Sequence, residues 1–472
     1  MRAGQAADVM VGMLAAMPLT PETSPTRAEP PPRGRGDACP GALRLHEADD
    51  GALARVRLPA GLLTTHQAAA LARAAEELGD GRLDLTSRGN VQLRGLGSDC
   101  GGALADRLRG AGLLPSDRHE RARNVVASPL AGLDGGGYAD VQRWARRLDE
   151  LLCTEPDTAS LSGRFLFAVD DGRGDVAALD ADVTLIARVG GDAVLRVGGA
   201  EGDGAAACRG LLVRAEDAPG AAVLAALEFL AAVRDSGTRA WRVRELPAPY
   251  AVSARRLAGR LAEAGITATA LASPCPLGTG NAEAARPVPG LVSGPEGRCA
   301  LSVLAPLGRL TAEQWRLLTA TAAREGAGEL RVTPWRGVVI PGVSAASGRE
   351  LVAALADAGL VTDRNSPWYG VGACTGRPGC AKSLADVRAD AGQAARAVRT
   401  VPGAAAHALP VYWSGCERRC GHPGGRWVDV LATGDGYRVA ARGTGAPETE
   451  RAVWAVTAEQ AADAVAAARG TT

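Results

Sequence analysis

Four cysteines in the C-terminal part of the chain have a spacing that could bind an inorganic cluster. Five residues separate Cys374 from Cys380 in ACTGRPGCAKSL, and three separate Cys416 from Cys420 in YWSGCERRCGHPGG. Four thiolates are the ligand set of a [4Fe–4S] cluster, and the surrounding glycines let backbone amides approach the sulfur atoms. The pattern therefore predicts such a cluster. A structural zinc site and four unrelated buried thiols are the alternatives.

The other cysteines have no comparable spacing, and we interpret them as small buried side chains that only pack. They are Cys39, Cys100, Cys153, Cys208, Cys275 and Cys299. Ten cysteines in 472 residues are too few for a disulfide-stapled scaffold, so reduced thiols or metal ligands are expected. The one lysine of the chain, Lys382, lies two residues after Cys380.

The overall charge and hydropathy exclude several classes of partner. With 53 basic and 52 acidic residues the net charge is +1, which gives no field for nucleic acid or an anionic membrane. No apolar run reaches the ~18 residues that a membrane span requires. Asp8 interrupts the apolar start MRAGQAADVMVGMLAAMPL, which does not match a secretory signal. We expect a cytoplasmic protein with two or more domains.

The chain contains an internal duplication. When the sequence is aligned with itself at an offset of 247 residues, residues 55–113 and 302–360 share 20 identities in 59 positions without a gap. Most of these identities are not alanine, so the alanine-rich composition does not explain them. Self-similarity of this kind indicates a repeated structural unit.

Each copy predicts the same order of elements. An extended segment precedes a capping box, Thr64 with Gln67 or Thr311 with Gln314, at which a helix begins. A left-handed glycine, Gly79 or Gly326, is expected to end that helix. Two β-rich segments and a second helix follow, which is most of a ferredoxin-like split βαβ unit. We expect the two units to pair about a pseudo-twofold axis.

These observations give six predicted regions. They are a disordered leader (1–37), a first half-domain (38–117), a first reductase-type α+β domain (118–250), a linker region (251–285), a second half-domain (286–363) and a second, cysteine-bearing α+β domain (364–472).

The segments LTSRGNVQLRG, RNVVASPLAG, CTGRPGCAKS and SGCERRCGHP resemble the nitrite/sulfite reductase superfamily, and within it the branch of precorrin-3B synthases. The resemblance covers nearly everything from about residue 38 to the end. It implies an α+β fold with two ferredoxin-like half-domains in a pseudo-twofold lobe and two reductase-type domains.

The resemblance also implies roles for individual residues. The four cysteines would hold the cluster, with Cys420 facing the tetrapyrrole pocket. Arg88 and Arg123 would bind tetrapyrrole carboxylates, together with Arg164 and Arg121, because the planar guanidinium pairs with a carboxylate through two hydrogen bonds. For each arginine alone, an ordinary salt bridge is the alternative.

One departure from the family pattern bears on the reaction. The reductases carry an L-P-R-K-F-K type segment whose two lysines hold and protonate the small anion, whereas this chain has LSGRFLFAVDDG. Arg164 replaces the first lysine and Leu166 replaces the second. Reduction of a small anion needs proton donors beside the metal, so the substitution favours chemistry on a larger substrate.

The implied reaction is the oxygen-dependent hydroxylation of precorrin-3A at C-20 with lactone formation, in aerobic cobalamin biosynthesis. A sirohaem-dependent nitrite or sulfite reductase is the alternative. A mononuclear non-haem iron is expected beside the cluster, with His422 as a candidate ligand or substrate contact and Lys382 as a candidate substrate contact. The alternative for His422 is a hydrogen bond to a loop carbonyl. The alternative for Lys382 is a solvated side chain.

Reducing equivalents are expected from outside the chain. The glycine-rich segments GLGSDCGG and GTGNAEAA lack the strand–G-x-G-x-x-G–helix order of a dinucleotide fold. We therefore expect a ferredoxin or an NADH-driven flavin reductase as the electron donor.

Overall fold

The duplicated halves form two interlocked sheets in the computed structural model, which describes residues 37, 39–198, 210–271, 286–397, 409–443, 453–455 and 457–469. All of these belong to the unit Arg33–Thr472. Apart from Asp37, the predicted leader lies outside the described residues, as do Cys208 and Cys275. Within the described ranges, none of the helices is both long and apolar enough to cross a membrane.

The elements follow one another along the chain in four groups. The first half-domain contains β1 (Ala52–Val56), β2 (Leu62–Thr64), α1 (Thr65–Leu78), β3 (Arg82–Leu85), β4 (Val91–Leu96) and α2 (Gly101–Gly110). The domain after it contains β5 (Val125–Ala127), α3 (Val141–Thr154), β6 (Phe167–Asp170), β7 (Val183–Ala187), β8 (Asp192–Val197), β9 (Leu211–Arg214), α4 (Ala218–Ser236), α5 (Ala254–Glu263) and β10 (Thr269–Ala270). The second half-domain contains β11 (Gly290–Ser293), β12 (Arg298–Leu304), β13 (Arg309–Thr311), α6 (Ala312–Arg324), β14 (Glu329–Val332), β15 (Gly337–Ser344) and α7 (Ala345–Asp357). The last domain contains β16 (Val371–Ala373), α8 (Val387–Ala397), β17 (Val411–Ser414), β18 (Trp427–Thr433), β19 (Gly436–Arg442), β20 (Val453–Ala455) and α9 (Ala458–Arg469).

The two half-domains exchange a short strand. Strand β2 of the first pairs with β14 of the second, and β13 of the second pairs with β3 of the first. The sheet orders are therefore β1-β4-β3-β13 and β11-β12-β15-β14-β2. Helices α1 and α6 pack against each other, and the Nε1 of Trp315 donates a 2.8 Å hydrogen bond to the carbonyl of Ala68. One continuous core spans both halves, so neither half is a separate folding unit.

The predicted helix starts are confirmed and the helices end at or next to the predicted glycines, but the predicted left-handed conformation of Gly79 and Gly326 is wrong. Both capping boxes are present, with the threonine and glutamine hydrogen bonds in each. Gly79 has a φ of −124° and Gly326 also lies outside the left-handed region. The left-handed residues come two positions later, at Gly81 (φ 74°) and Gly328 (φ 75°). The chain turns left-handed only where it enters the next strand.

The two reductase-type domains share one topology. Strands β5, β6 and β7 are parallel neighbours and β8 and β9 continue the sheet in antiparallel order. Strands β16, β17 and β18 are likewise parallel, with β19 and β20 antiparallel. The duplication therefore extends beyond the half-domains into the domains that follow them.

Part of the predicted linker 251–285 is folded. Helix α5 packs on α4 and buries Leu257 and Leu261 completely, while β10 extends the sheet beside β9. Leu257 and Leu261 are four residues apart and lie on one face of α5, which packs into the core of the first reductase-type domain. Residues 272–285 lie outside the described part of the chain.

Candidate functional site

Two parallel strands bring the sulfur-bearing loops to one edge of a sheet. Cys374 follows β16 directly, and Cys416 lies two residues after β17, its parallel neighbour. The amide of Cys374 donates to the carbonyl of Trp413 at 2.9 Å, and the amide of Leu384 donates to the carbonyl of Gly415 at 2.8 Å. Since the carboxyl ends of parallel strands meet at the same edge, the two loops lie against each other.

The surroundings of Cys374 are those of a sulfur ligand. The amide of Gly415 donates a 3.2 Å hydrogen bond to its Sγ. Burial raises the pKa of the Cys374 thiol, the amides of Gly415 and Gly376 lower it, and the charges of Cys420 and Cys416 raise it. Three of the four sulfurs therefore interact electrostatically, and amide donors that stabilise thiolates are already in place.

The fourth cysteine lies on a loop that is anchored to the first half-domain. The carbonyl of Cys380 accepts from the amide of Ser383. The carbonyl of Gly379 accepts a 2.7 Å hydrogen bond from the Nη2 of Arg94, which also pairs with Asp50. These contacts hold the loop in position. The participation of Cys380 in one cluster with the other three cysteines stays a prediction.

The described thiols are not gathered closely enough for a mononuclear zinc site. Tetrahedral zinc with Zn–S bonds of about 2.3 Å would place its sulfurs roughly 3.8 Å apart. Within the described ranges, no three His, Cys, Asp or Glu ligand atoms in these loops lie within 4.8 Å of one another. A cubane holds its four thiolates further apart, on separate iron atoms.

A cluster of buried guanidinium groups lies between the first half-domain and the following domain. Arg57, directly after β1, and Arg88 in the β3–β4 turn both donate to the carbonyl of Gly163, at 3.2 and 3.3 Å. Arg55, two residues earlier and on β1, donates to the side chain of Gln92. We refer to Arg55, Arg57 and Arg88 as the arginine cluster.

The arginine cluster contains more cationic than anionic groups. Arg57 is only 2% exposed, and its Nε and Nη1 have no hydrogen-bond partner. Burial, with the charge of Arg55, lowers the pKa of Arg57 to about 9. Burial and the charges of Arg242 and Arg55 lower the pKa of Arg88 to about 10. Among the described residues, none of the three cluster arginines forms an ion pair, so the arrangement is suited to receiving an anion.

The chain segment that closes this region is tightly packed. A Cβ on Gly163 would lie 2.7 Å from the Cβ of Cys39 and 2.9 Å from the Nη2 of Arg57, so only glycine fits. Asp37 accepts hydrogen bonds from the amide of Gly163 and from the hydroxyl of Ser162. The half-buried Cys39 therefore borders the arginine cluster.

Arg123, predicted to bind substrate, is committed to the protein interior. Its Nε and Nη2 form a two-pronged ion pair with Asp149 on α3, both at 2.7 Å, and its Nη1 donates to the carbonyl of Leu113. Burial opposes the charge, but the Asp149 hydrogen bonds raise the pKa of Arg123. All three of its nitrogens have protein acceptors, which favours the ordinary salt bridge as the role of Arg123, and substrate binding by this residue stays a prediction.

The other predicted arginines have different surroundings. Arg121 donates to the carbonyl of Asp37 at 3.3 Å. Arg164 is exposed, and its guanidinium lies over the ring of Trp241 at 4.6 Å. Of the predicted arginines, only Arg88 belongs to the arginine cluster, and the role of each in binding substrate stays a prediction.

Leu166 is buried in a small apolar cluster. It is 3% exposed and packs with Val126, Ala168, Val176 and Ala181. Its amide donates a 2.9 Å hydrogen bond to Asp182, which also pairs with Arg242. Since the charges of Arg242 and Asp182 act on Arg88, this apolar group lies close to the arginine cluster.

Lys382 and His422 have the surroundings of loop residues. Lys382 is exposed and forms no hydrogen bond or ion pair with another described residue. His422 is also exposed; its Nδ1 hydrogen-bonds the carbonyl of Pro423 at 2.8 Å and its ring stacks on Trp427 at 4.8 Å. A hydrogen bond to a loop carbonyl is the alternative that the sequence had left open for this histidine.

The expected mononuclear iron has no matching ligand set in the described residues. The one close group of three potential ligands there is Asp170, Asp171 and Asp175. Asp170 accepts from four backbone amides, and Asp171 is paired with Arg173. The oxygens of Asp170 and Asp171 are already engaged, and the Oδ2 of Asp175 is the one that lacks a hydrogen-bond partner among the described residues, so the group does not offer the ligand set of an iron site.

The acidic group occupies the position that the cysteines have in the other domain. Ser128 directly follows β5, as Cys374 directly follows the equivalent β16. The hydroxyl of Ser128 donates to Asp175 at 2.6 Å, in the loop after β6. Where one domain presents thiols, its counterpart has a hydrogen-bonded acidic group in which the Oδ2 of Asp175 has no partner.

Sequence reasoning missed Arg55 and Arg57. The signal was present, because ARVRLP places two arginines on one face of a strand that is otherwise apolar. Charged side chains in such a strand are almost never fully buried unless they are paired or functional.

Comparisons with known proteins agree with this architecture. The model of the nitrite/sulfite reductase ferredoxin-like half domain matches residues 46–110 and 293–358. A precorrin-3B synthase of a Sinorhizobium species is 27% identical over 413 residues, 87% of this chain and 83% of the relative. A chloroplastic ferredoxin–nitrite reductase of Zea mays is 28% identical over 422 residues, 78% of this chain and 67% of the relative.

A solved structure shares the fold. The NirA protein of Mycobacterium tuberculosis superposes with a TM-score of 0.64 at 20% identity, over 87% of this chain and 79% of that one. The expected α+β architecture with duplicated ferredoxin-like half-domains is confirmed.

Proposed function

Because the chain has the nitrite/sulfite reductase fold with both of its half-domains, we propose that it is an oxygen-dependent oxidoreductase of the precorrin-3B synthase type. The reaction is hydroxylation of precorrin-3A at C-20 with closure of a peripheral carboxylate to a lactone. One atom of dioxygen enters the substrate, and the other is reduced to water by two electrons from an external donor. The proposal is supported by the relative of that name, which matches most of both chains.

The observation that carries the proposal is an arginine cluster that has an apolar side chain beside it rather than a lysine. Precorrins carry several acetate and propionate groups, and the unpaired Nε and Nη1 of Arg57 each leave an N–H that is suited to donate to a carboxylate oxygen. Leu166 stands where the reductases have a lysine that protonates the small anion, and it is buried among apolar side chains. The site therefore suits binding of a polycarboxylate better than protonation of nitrite or sulfite.

Each residue of the arginine cluster has a separate task in this proposal. Arg57 and Arg88, fixed on the carbonyl of Gly163, bind carboxylates and set the orientation of the macrocycle. Arg55 adds positive charge from β1. Such charge–charge contacts strengthen where water is excluded, and Arg57 is almost fully buried.

The four-cysteine site would supply electron transfer. Cys374, Cys380, Cys416 and Cys420 would hold a [4Fe–4S] cluster, which exchanges single electrons when bound. The amide of Gly415 would stabilise the thiolate of Cys374. Electrons would come from a ferredoxin or an NADH-driven flavin reductase. No step is assigned to a mononuclear iron, because the described residues offer no set of ligands for one.

A sirohaem-dependent nitrite reductase is the second candidate. The nitrite reductase of Zea mays is about as similar as the precorrin-3B synthase, although the alignment covers less of each chain. The arginine cluster would then bind the carboxylates of sirohaem. Against it stands the absence of a lysine at Leu166.

Anaerobic purification, followed by iron and sulfide analysis and an optical spectrum, separates the two candidates. A broad sulfide-to-iron absorption without haem-like bands, and conversion of precorrin-3A only when dioxygen and a reductant are present, would support the proposal. Sirohaem bands with dithionite-driven reduction of nitrite would instead establish the reductase. Protein without iron and sulfide would remove the cluster from both.

A further inference from the structure

A cleft between the half-domains and the second reductase-type domain has none of the arginine cluster in its lining. Its volume is about 710 Å³, and its walls are β13, helix α8 and the loop between Cys374 and Cys380. We call it the α8 cleft. A volume of this size is typical of small-molecule sites. Its lining contains none of Arg55, Arg57 and Arg88.

The charges of the α8 cleft do not balance. Arg309 pairs with Asp80 and Asp84, and Arg388 pairs with Asp84 as well. Asp50, also in the lining, is paired with Arg94. These ion pairs neutralise half of the charged residues in the lining, so the net charge of the cleft is set by the other half.

Three arginines in the lining have no carboxylate partner. Arg82, Arg377 and Arg396 are exposed, and none forms an ion pair with another described residue. The remaining carboxylate, Asp386, accepts from the amide of Ala389 at the start of α8. Three guanidinium groups against one carboxylate leave an excess of two positive charges. A phosphate monoester carries nearly two negative charges at neutral pH, which matches this excess.

An aromatic ring lies next to one of these arginines. The Cη2 of Trp368 and the guanidinium nitrogens of Arg396 each lie 3.5 Å from the position of a Cβ on Gly392. Both groups therefore lie against α8 at Gly392. Leu307, Leu310 and Pro378 complete an apolar wall. The cleft therefore combines a flat stacking surface with cations.

We propose that the α8 cleft binds a phosphate monoester that carries an aromatic ring, of the size of a mononucleotide. The phosphate lies between Arg82, Arg377 and Arg396, where guanidinium forks fit its oxygens, and the ring lies on Trp368. A bound ring would also contact the loop between two of the proposed cluster ligands. The binding itself does not depend on the proposed function.

Isothermal titration of the purified full chain with flavin mononucleotide and with adenosine monophosphate tests the proposal. We expect one saturable site per chain for each nucleotide, and affinities at least tenfold lower for riboflavin and adenosine, which lack the phosphate. Inorganic phosphate, which lacks the ring, should also bind at least tenfold more weakly than the nucleotides.

Variants locate the site. Arg82→Gln and Arg396→Gln should each lower the affinity for flavin mononucleotide about tenfold, and Trp368→Leu should remove most of the preference over inorganic phosphate. Arg143→Gln is the matched control, since Arg143 is an exposed arginine on α3, the counterpart of α8; it should leave binding unchanged. Thermal unfolding of each variant checks that it is folded.

Three outcomes would overturn the proposal. Titrations without saturation would mean that the cleft has no ligand of this class. Equal affinities for phosphate and nucleotide that Trp368→Leu does not change would indicate an adventitious ion only. Equal losses in Arg143→Gln and Arg396→Gln would indicate non-specific attraction of anions. None of these results depends on cluster content or on turnover of a tetrapyrrole.

Discussion

The backbone amide of Gly415 donates a 3.2 Å hydrogen bond to the Sγ of Cys374. The two residues are far apart in the chain and meet because β16 and β17 are parallel neighbours. An amide directed at a sulfur is a feature of thiolate ligands, because the hydrogen bond stabilises the negative charge. This hydrogen bond connects the two cysteine loops. Buried thiols that bind no metal would not require such a contact.

Replacing Cys374 should remove the cluster. In Cys374→Ala, we expect loss of most iron and acid-labile sulfide and of the visible absorption, because a cubane needs four thiolates. Metal analysis of anaerobically purified protein measures this. Cys100→Ala, which removes a half-buried thiol in the first half-domain, is the control and should retain full iron. Equal iron content in both variants would exclude Cys374 as a ligand.

Replacing Arg57 should weaken substrate binding while stabilising the ligand-free protein. Loss of a charge-assisted contact should cost about 1.5–3 kcal/mol of binding free energy, roughly a tenfold to hundredfold change in Kd. Removal of a buried unpaired cation should raise the free energy of unfolding by about 1 kcal/mol. Precorrin titrations and urea unfolding of Arg57→Gln measure the two effects. A variant that loses both affinity and stability would indicate a merely structural role.

The stability gain of Arg57→Gln should depend on pH. Burial and Arg55 lower the folded-state pKa of Arg57 to about 9, well below that of an ordinary arginine, with smaller effects from Cys39, Arg88 and Glu120. The unfolded chain therefore binds more protons above about pH 9, and the wild-type protein recovers stability as pH rises beyond this point. The difference between variant and wild type should be constant below pH 8 and shrink above pH 9. A difference that grows with pH would contradict the burial of a charged Arg57.

Arg123 should behave as a structural residue. Breaking its ion pair with Asp149 in Arg123→Ala should cost about 3 kcal/mol of unfolding free energy, because one buried charge loses its partner. Asp149→Asn should cost a similar amount, and a double-mutant cycle should give a coupling of more than about 1 kcal/mol. The affinity of folded protein for precorrin should stay within about twofold of wild type. A large loss of affinity with full stability would restore Arg123 as a substrate ligand.

A lysine at position 166 should not convert the site into a reductase. Leu166→Lys buries an ammonium group among Val126, Ala168 and Val176. We expect it to lower the free energy of unfolding by about 3 kcal/mol or more. Leu166→Met, the volume-conserving control, should cost less than about 1.5 kcal/mol. Chemical unfolding gives both values. Nitrite reduction by a stable Leu166→Lys protein would show that this position alone separates the two reactions.

The local signals in the sequence predicted local structure correctly. The capping boxes at Thr64 and Thr311 depend on residues three positions apart, so the helix starts follow from the sequence alone. The repeat was also readable, because identities such as Leu63/Leu310 recur at a constant offset. The left-handed glycines were predicted two residues too early. The left-handed turn lies where the next strand begins, and the start of that strand is set by its partner strand.

The sequence by itself therefore determined the duplication, the helix starts and the four candidate sulfur ligands, since each depends on residue type and short spacing. Tertiary structure decided that β2 and β13 exchange between the halves, since their partners are distant in the chain. It also decided which arginines are free. Arg123 and Arg57 are both buried arginines, but α3 supplies Asp149 to one, while the carbonyl of Gly163 is the sole described hydrogen-bond partner of the other. Counter-charges that come from distant elements cannot be read from local sequence.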